Sequence, residues 1–159
     1  MMSSSFRPFK AEDLAGITKI EASSFPDPWP TSFFKYIHSK APDLFIVAEV
    51  GDKVVGYVIG ELRDIMFSGV SHRSKVGHIL NIAVDRRRRG KGIGAGLMSE
   101  IEGRFRGMGA SQVTLEVRES NSTARSFYSG LGFTDIGRVR AYYPDEDAII
   151  MSKNLGDEK

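Results

Sequence analysis

The chain has 159 residues, 41% of them apolar and 26% charged, with 22 basic against 20 acidic side chains and no cysteine. That balance excludes disorder and a fibrous repeat, and the missing cysteines exclude a disulfide scaffold, a thiolate zinc site and a cysteine nucleophile. A net charge of +2 is too even for a protein whose main work is holding nucleic acid. No apolar stretch nears the ~20 residues of a bilayer span, and residues 1–8 lack the apolar core of a signal peptide. The expectation is one cytoplasmic domain over residues 1–159, with an ordered core of about 6–154.

In chain order, residues 11–25 read as a helix: Glu12 and Asp13 suit the positive end of its dipole, and Leu14, Ile17 and Ile20 form an apolar stripe. Phe25-Pro26-Asp27-Pro28-Trp29-Pro30 follows, where closely spaced prolines make a stiff, extended connector. A second helix is predicted with Thr31 or Ser32 as N-cap, turning Phe33, Phe34 and Ile37 inward. Residues 44–50 and 53–62 around Gly51-Asp52 read as a hairpin, and residues 63–77, which show no period, as a surface loop. Residues 77–84 are a near-continuous apolar strand, suited to burial on both faces. A polar turn at 86–89 leads through glycines into a helix reaching about Met108, with Leu97, Ile101 and Phe105 on one face. Residues 111–118 alternate as a strand, Val113, Leu115 and Val117 against Thr114, Glu116 and Arg118. Asn121 suits the N-cap of a short helix carrying Ala124, Phe127 and Tyr128. Strands near 133–140 and 148–152, with a turn at Pro144-Asp145, complete an α/β domain on a mixed sheet.

Arg89-Gly90-Lys91-Gly92-Ile93-Gly94 sits where a strand hands over to a helix. Closely spaced glycines let backbone N–H groups approach a ligand at the positive end of a helix, which makes a phosphate cradle; the bland alternative is a glycine-rich surface turn. No Lys-Ser or Lys-Thr follows as a Walker loop requires, and Ala95 stands where the third glycine of a Rossmann turn belongs.

The pattern Arg89-x-x-Gly92-x-Gly94 resembles the acetyl-CoA motif of the GNAT-fold N-acetyltransferases. Gly77-His78, Leu115-Glu116-Val117-Arg118, Glu119-Ser120-Asn121, Phe127-Tyr128, Leu131-Gly132-Phe133, Tyr142-Tyr143-Pro144 and Glu146-Asp147-Ala148 narrow the resemblance to the RimI-like and archaeal Ard-type N-terminal α-acetyltransferases. The resemblance implies a sheet whose parallel strands at 77–84 and 111–118 splay apart to admit acetyl-CoA. Pantetheine would pair with backbone groups of Ile82, Ala83 and Val84, and the pyrophosphate with the turn from Arg89 through Gly90, Lys91, Gly92, Ile93 and Gly94 to Ala95. Asn121 would reach the pantetheine arm or serve only as a cap. No metal is required, and two candidate ligands, His78 and Glu116, do not make a zinc site.

Amide formation from a thioester needs a neutral amine, a stabilised oxyanion and a proton for the departing thiolate. At pH 7 roughly a tenth of a peptide α-amine is neutral, against roughly one lysine in a few thousand, so a modest base acting through water suffices for the former. Glu116 matches the family's catalytic glutamate, with a solvated strand glutamate as its alternative, and His78, matching the Ard-type histidine, is either a partner relaying a proton through water or a structural residue. Tyr128 matches the tyrosine that protonates the CoA thiolate, with core packing as its alternative, and a main-chain N–H near Ala83 is the expected oxyanion donor. Tyr142 and Tyr143 resemble the paired tyrosines that grip the substrate's first residues, and Phe25, Pro26, Asp27 and Trp29 occupy the loop flanking the amine. That loop is a hybrid, with Asp27 in place of the Ard-type glutamate and Trp29 in place of its tyrosine.

The implied reaction is acetyl transfer from acetyl-CoA to protein or peptide N-termini, whether free or at the ribosome, with neither nucleic acid nor membrane as partner. Two alternatives remain at the level of sequence: an acetyltransferase acting on a lysine side chain, polyamine or other small amine, and a CoA-binding module without turnover.

Overall fold

The computed structural model describes residues 3–66 and 73–156. In chain order the described elements are β1 (Ser4–Pro8), α1 (Leu14–Ser24), α2 (Thr31–Lys40), β2 (Phe45–Val50), β3 (Lys53–Met66), β4 (Arg73–Val84), α3 (Ile93–Gly107), β5 (Gln112–Arg118), α4 (Ser122–Gly130), β6 (Thr134–Val139) and β7 (Ala148–Asn154). The strands form one sheet in the order β1-β2-β3-β4-β5-β7-β6. The β1/β2, β2/β3, β5/β7 and β6/β7 pairs are antiparallel and β4/β5 is parallel, so the sheet is mixed, as expected. The β4/β5 register covers Val76↔Gln112, Gly77↔Val113 and His78↔Thr114, although both strands run further. The chain divides into two compact units, Met1–Glu61 with Leu80–Arg104, and Leu62–Ile79 with Phe105–Lys159.

In the first unit, the stripe of α1 buries Ile17 and Ile20 against Phe34 of α2 and against Phe45, Val47, Tyr57 and Ile59 of the β2/β3 hairpin. Alternation along β2 and β3 sends these side chains to one face, where each large side chain withdrawn from water contributes about 1.5–3 kcal/mol. The Arg7 guanidinium ties β1 down, donating to both carboxylate oxygens of Asp13, at 2.8 and 2.9 Å, and to Glu49 at 2.8 Å. These ion pairs hold the Asp13 carboxyl below its ordinary value against the upward push of burial.

In the second unit, Val113, Leu115 and Val117 of β5 are buried, and all seven β5 residues from Gln112 to Arg118 pair with β7. Gly77 of β4 lies under the ring of Phe105, so close that a Cβ there would overlap the ring carbons. The outermost strand, β6, is exposed along its whole length, and its register against β7 shifts between Asp135 and Gly137.

Two expectations need correction, and one strand had no expectation to correct. The loop read at 63–77 is strand at both ends, since β3 runs to Met66 and β4 begins at Arg73; residues 67–72 lie outside the described residues. Strand pairing, which leaves no local period in the sequence, extends both elements. The strand β1 was not foreseen: residues 4–8 lack alternation and are held by pairing to β2, from Ser4↔Val50 to Pro8↔Ile46. Finally, α2 starts at Thr31 behind Pro30, with no side-chain cap from Thr31 or Ser32.

Candidate active site

In the second unit the parallel register sets His78 beside Thr114, and Glu116, two residues further along β5, falls on the same face. His78 Nδ1 lies 2.7 Å from Thr114 Oγ1 and Nε2 2.6 Å from Glu116 Oε2. A carboxylate only accepts, so Nε2–H donates to Glu116, while Nδ1 accepts from the Thr114 hydroxyl in the neutral ring and donates to its oxygen in the charged one. The two side chains therefore touch directly, where sequence alone suggested a relay through water. His78 is 3% exposed with both ring nitrogens engaged, whereas the Glu116 side chain is 20% exposed. Glu116 is thus the member of the pair that meets solvent. Burial pushes its carboxyl up, but the hydrogen bond and charge of His78, joined by Arg63, outweigh this and hold it below the ordinary glutamate value.

Tyr128 is buried on α4, packed between Phe127 and Phe133. Asn121 caps that helix, its side-chain oxygen accepting from the Ala124 N–H at 3.1 Å. Burial and the nearby Tyr143 push the Tyr128 phenol above its ordinary value, so it stays protonated through the neutral range. Tyr142 and Tyr143 follow β6 after a turn in which Ala141 adopts φ 53°, and their rings meet edge to face at 4.9 Å. Burial, the Tyr142 charge and Glu116 push the Tyr143 phenol to about 12, and burial and Glu116 raise Tyr142. These mutual influences place Glu116, Tyr128, Tyr142 and Tyr143 in one electrostatic neighbourhood.

Sequence reasoning missed what holds this neighbourhood. The Arg118 guanidinium sits 4.2 Å over the Tyr143 ring and donates to Asp145 at 2.8 Å. Glu146 accepts from the Ser120 N–H at 2.8 Å and hydroxyl at 2.9 Å, and its carbonyl accepts from the Tyr143 N–H at 3.0 Å. The signal was present as the polar face of β5, which carries Thr114, Glu116 and Arg118.

In the first unit the glycine-rich turn opens α3. Gly90 at φ 75° and Gly92 at φ 85° occupy the left-handed region that side chains disfavour, and nothing lies within 4 Å of where a Cβ would stand at either. The first bond into the helix runs from the Gly96 N–H to the Gly92 carbonyl at 3.0 Å, which leaves the N–H groups of Ile93, Gly94 and Ala95 unused by the helix. Ile93 is buried and anchors the turn, while Arg89 and Lys91 are exposed. Arg89 braces it by donating to the Val84 carbonyl at 3.0 Å and to the Ser24 hydroxyl at 3.2 Å. This open run of helix-end donors beside cationic side chains fits a pyrophosphate. Of the backbone groups at Ile82, Ala83 and Val84, the Ile82 N–H already donates to Asn81 Oδ1 at 3.1 Å, and the Val84 carbonyl is the one that Arg89 occupies.

The connector residues separate by burial. Phe25 and Trp29 pack against the core of the first unit, while Pro26 and Asp27 are exposed. The sequence reading also missed Glu21, buried on α1, although its place seven residues after Leu14 on the apolar stripe marks it. Among the described residues no group of three or more His, Asp or Glu could hold a metal ion, and no helix is long and apolar enough to cross a membrane.

Comparison with known proteins gives this geometry a family. Residues 14–133 match the model of the Acetyltransferase (GNAT) family. The chain is 36% identical over 155 residues to an uncharacterized N-acetyltransferase of Methanocaldococcus jannaschii, covering 96% of this chain and 93% of that protein. It is 36% identical over 148 residues to an N-alpha-acetyltransferase of Sulfurisphaera tokodaii, covering 90% and 88%. The crystal structure of Ard1 from Thermoplasma volcanium superposes with a TM-score of 0.85 at 28% identity, covering 97% of this chain and 99% of that one. The protein belongs to the GNAT acetyltransferases, enzymes that use acetyl-CoA.

Proposed function

We propose that this enzyme acetylates the α-amino group of protein N-termini, with Glu116 as base and Tyr128 as donor to the leaving sulfur. The observation that carries the reading is the Glu116 carboxylate, held ionised against buried His78 and titrating below its ordinary value. Such a carboxylate is a weak base. It is adequate for an α-amine, of which roughly a tenth is already neutral at pH 7, and poorly matched to a lysine amine near ~10.4. The N-alpha-acetyltransferase of Sulfurisphaera tokodaii supports the same acceptor.

Acetyl-CoA brings the acetyl group as a thioester. The N–H groups of Gly92, Ile93, Gly94 and Ala95, with Arg89 and Lys91, hold its pyrophosphate, and the backbone at Ile82, Ala83 and Val84 aligns its pantetheine. Tyr142 and Tyr143 grip the first residues of the peptide. The connector at 25–29 is a peptide-binding segment of the first unit. Glu116 takes the proton from the attacking amine through one water as the new C–N bond forms. Tyr128 gives its hydroxyl proton to the sulfur as the C–S bond breaks, and solvent returns that proton to Tyr128 and removes the other from Glu116. His78 is a positioning residue in this scheme, because both of its nitrogens are occupied in orienting Glu116.

The test is thiol release from acetyl-CoA with short peptides beginning Ser, Ala, Met-Leu and Met-Glu. Each is paired with an N-terminally blocked peptide that carries an internal lysine. The chain has no cysteine to react with the thiol dye. Turnover on free N-termini alone is the expected result, and turnover on the blocked peptides alone would move the acceptor to a lysine side chain.

A further inference from the structure

Glu21 stands in the last turn of α1 and is 1% exposed, with no part in the chemistry above. Its Oε2 accepts from the Trp29 N–H at 2.9 Å. Its Oε1 accepts from Asn81 Nδ2 at 2.7 Å and from the Tyr57 hydroxyl. Asn81 Nδ2 lies 3.1 Å from the Tyr57 oxygen as well, and Asn81 Oδ1 accepts from the Ile82 N–H. All three groups facing the carboxylate are donors. Only a side chain that accepts at both oxygens satisfies them, so glutamine, with a donor at one end, would set N–H against N–H or O–H.

The connector at 25–29 explains why this matters. Pro26 and Pro28 have no N–H, so the segment owns three backbone donors, those of Phe25, Asp27 and Trp29. Glu21 takes two of them: its main-chain carbonyl accepts from the Phe25 N–H at 3.1 Å and its carboxylate from the Trp29 N–H. One residue therefore pins both ends of the connector. Through Tyr57 and Asn81, it also ties that connector to β3 and to the stretch of β4 that begins at Ile82.

We propose that Glu21 is a positioning residue, a buried acceptor that fixes the connector at 25–29 and through it the enzyme's grip on the peptide N-terminus. The substrate half of this proposal rests on the α-amine reading above. Burial, the Glu21 charge and its hydrogen bond raise the Tyr57 phenol, which keeps that group a donor.

Trp29 is the single tryptophan of the chain, so its emission reports on the connector alone. In the full-length enzyme, Glu21→Gln shifts Trp29 emission to the red and increases acrylamide quenching while far-UV circular dichroism stays unchanged. Below the variant's unfolding temperature, peptide KM rises about tenfold, with kcat within about threefold and acetyl-CoA affinity within about twofold of wild type. A merely structural Glu21 would lower the unfolding temperature and leave emission and KM alone. Tyr57→Phe, which keeps the ring in the core and removes one donor, moves both readouts the same way by less, and carries the test if Glu21→Gln does not fold. Unchanged Trp29 emission in the folded variant, or wild-type KM beside altered emission, overturns the proposal. A wild-type enzyme silent on every free N-terminus overturns the α-amine reading instead, and Trp29 emission then decides the role of Glu21 by itself.

Discussion

At the scale of the single residue, the proposed chemistry turns on Glu116. Its depressed pKa keeps it ionised above the ordinary carboxylate range, so its titration contributes no limb to the neutral pH–rate profile. The rise of kcat/KM with pH then belongs to the substrate amine near ~8. Peptides whose first residue has a less basic amine shift that limb by the difference in their amine pKa; a limb that stays in place assigns it to the enzyme and sinks the argument. Glu116→Gln removes the proposed base and lowers kcat/KM about a hundredfold, the lower end of general-base effects, since part of the amine is already neutral. The stability linkage has a definite sign. A carboxyl lowered in the folded state contributes stability above its unfolded value, near ~4.3, and loses that contribution as pH falls through the lower folded value. Tyr128→Phe loses less than Glu116→Gln, about tenfold. A thiol near ~8.5 leaves readily, and proton transfer from a phenol raised above ~10 is uphill.

Among the elements, β4 is the most demanding, because Gly77 must remain bare under Phe105. Gly77→Ala forces the ring or the strand aside and costs about 1–3 kcal/mol, to be read as a lower midpoint in urea with an unchanged slope. Elements whose burial follows a local period were legible in the sequence: the alternation of β5, the stripe of α3 with Leu97, Ile101 and Phe105 buried, and the Asn121 cap of α4. Elements held by a partner strand were not, as β1 and the ends of β3 and β4 show. The site divides the same way. His78, Glu116, Tyr128, Tyr142 and Tyr143 were legible as chemical types, but the 2.6 Å contact of His78 with Glu116 depends on the register His78↔Thr114. Glu21 and Arg118 escaped notice because what they do depends on donors and rings that only folding brings to them.

For the molecule as a whole, a ligand that binds only the folded chain must stabilise it. At a hundred times its dissociation constant, acetyl-CoA adds about 2.7 kcal/mol, which for a chain of this size raises Tm by about 5–10 °C. Differential scanning fluorimetry reads this directly, and no shift at saturating acetyl-CoA would remove the cofactor assignment of the glycine-rich turn. Another whole-chain property follows from β6. The outermost strand of a sheet is a template on which other chains can add, and here Ile136 is 58% exposed along it. Asp135 and Arg138 flank Ile136-Gly137, and the register shift at Asp135/Gly137 bends the strand out of the regular ladder. An incoming strand thus meets charge of both signs and an irregular row of hydrogen-bonding groups. The edge at β6 is thereby guarded against aggregation by strand addition from any unfolded chain that meets it.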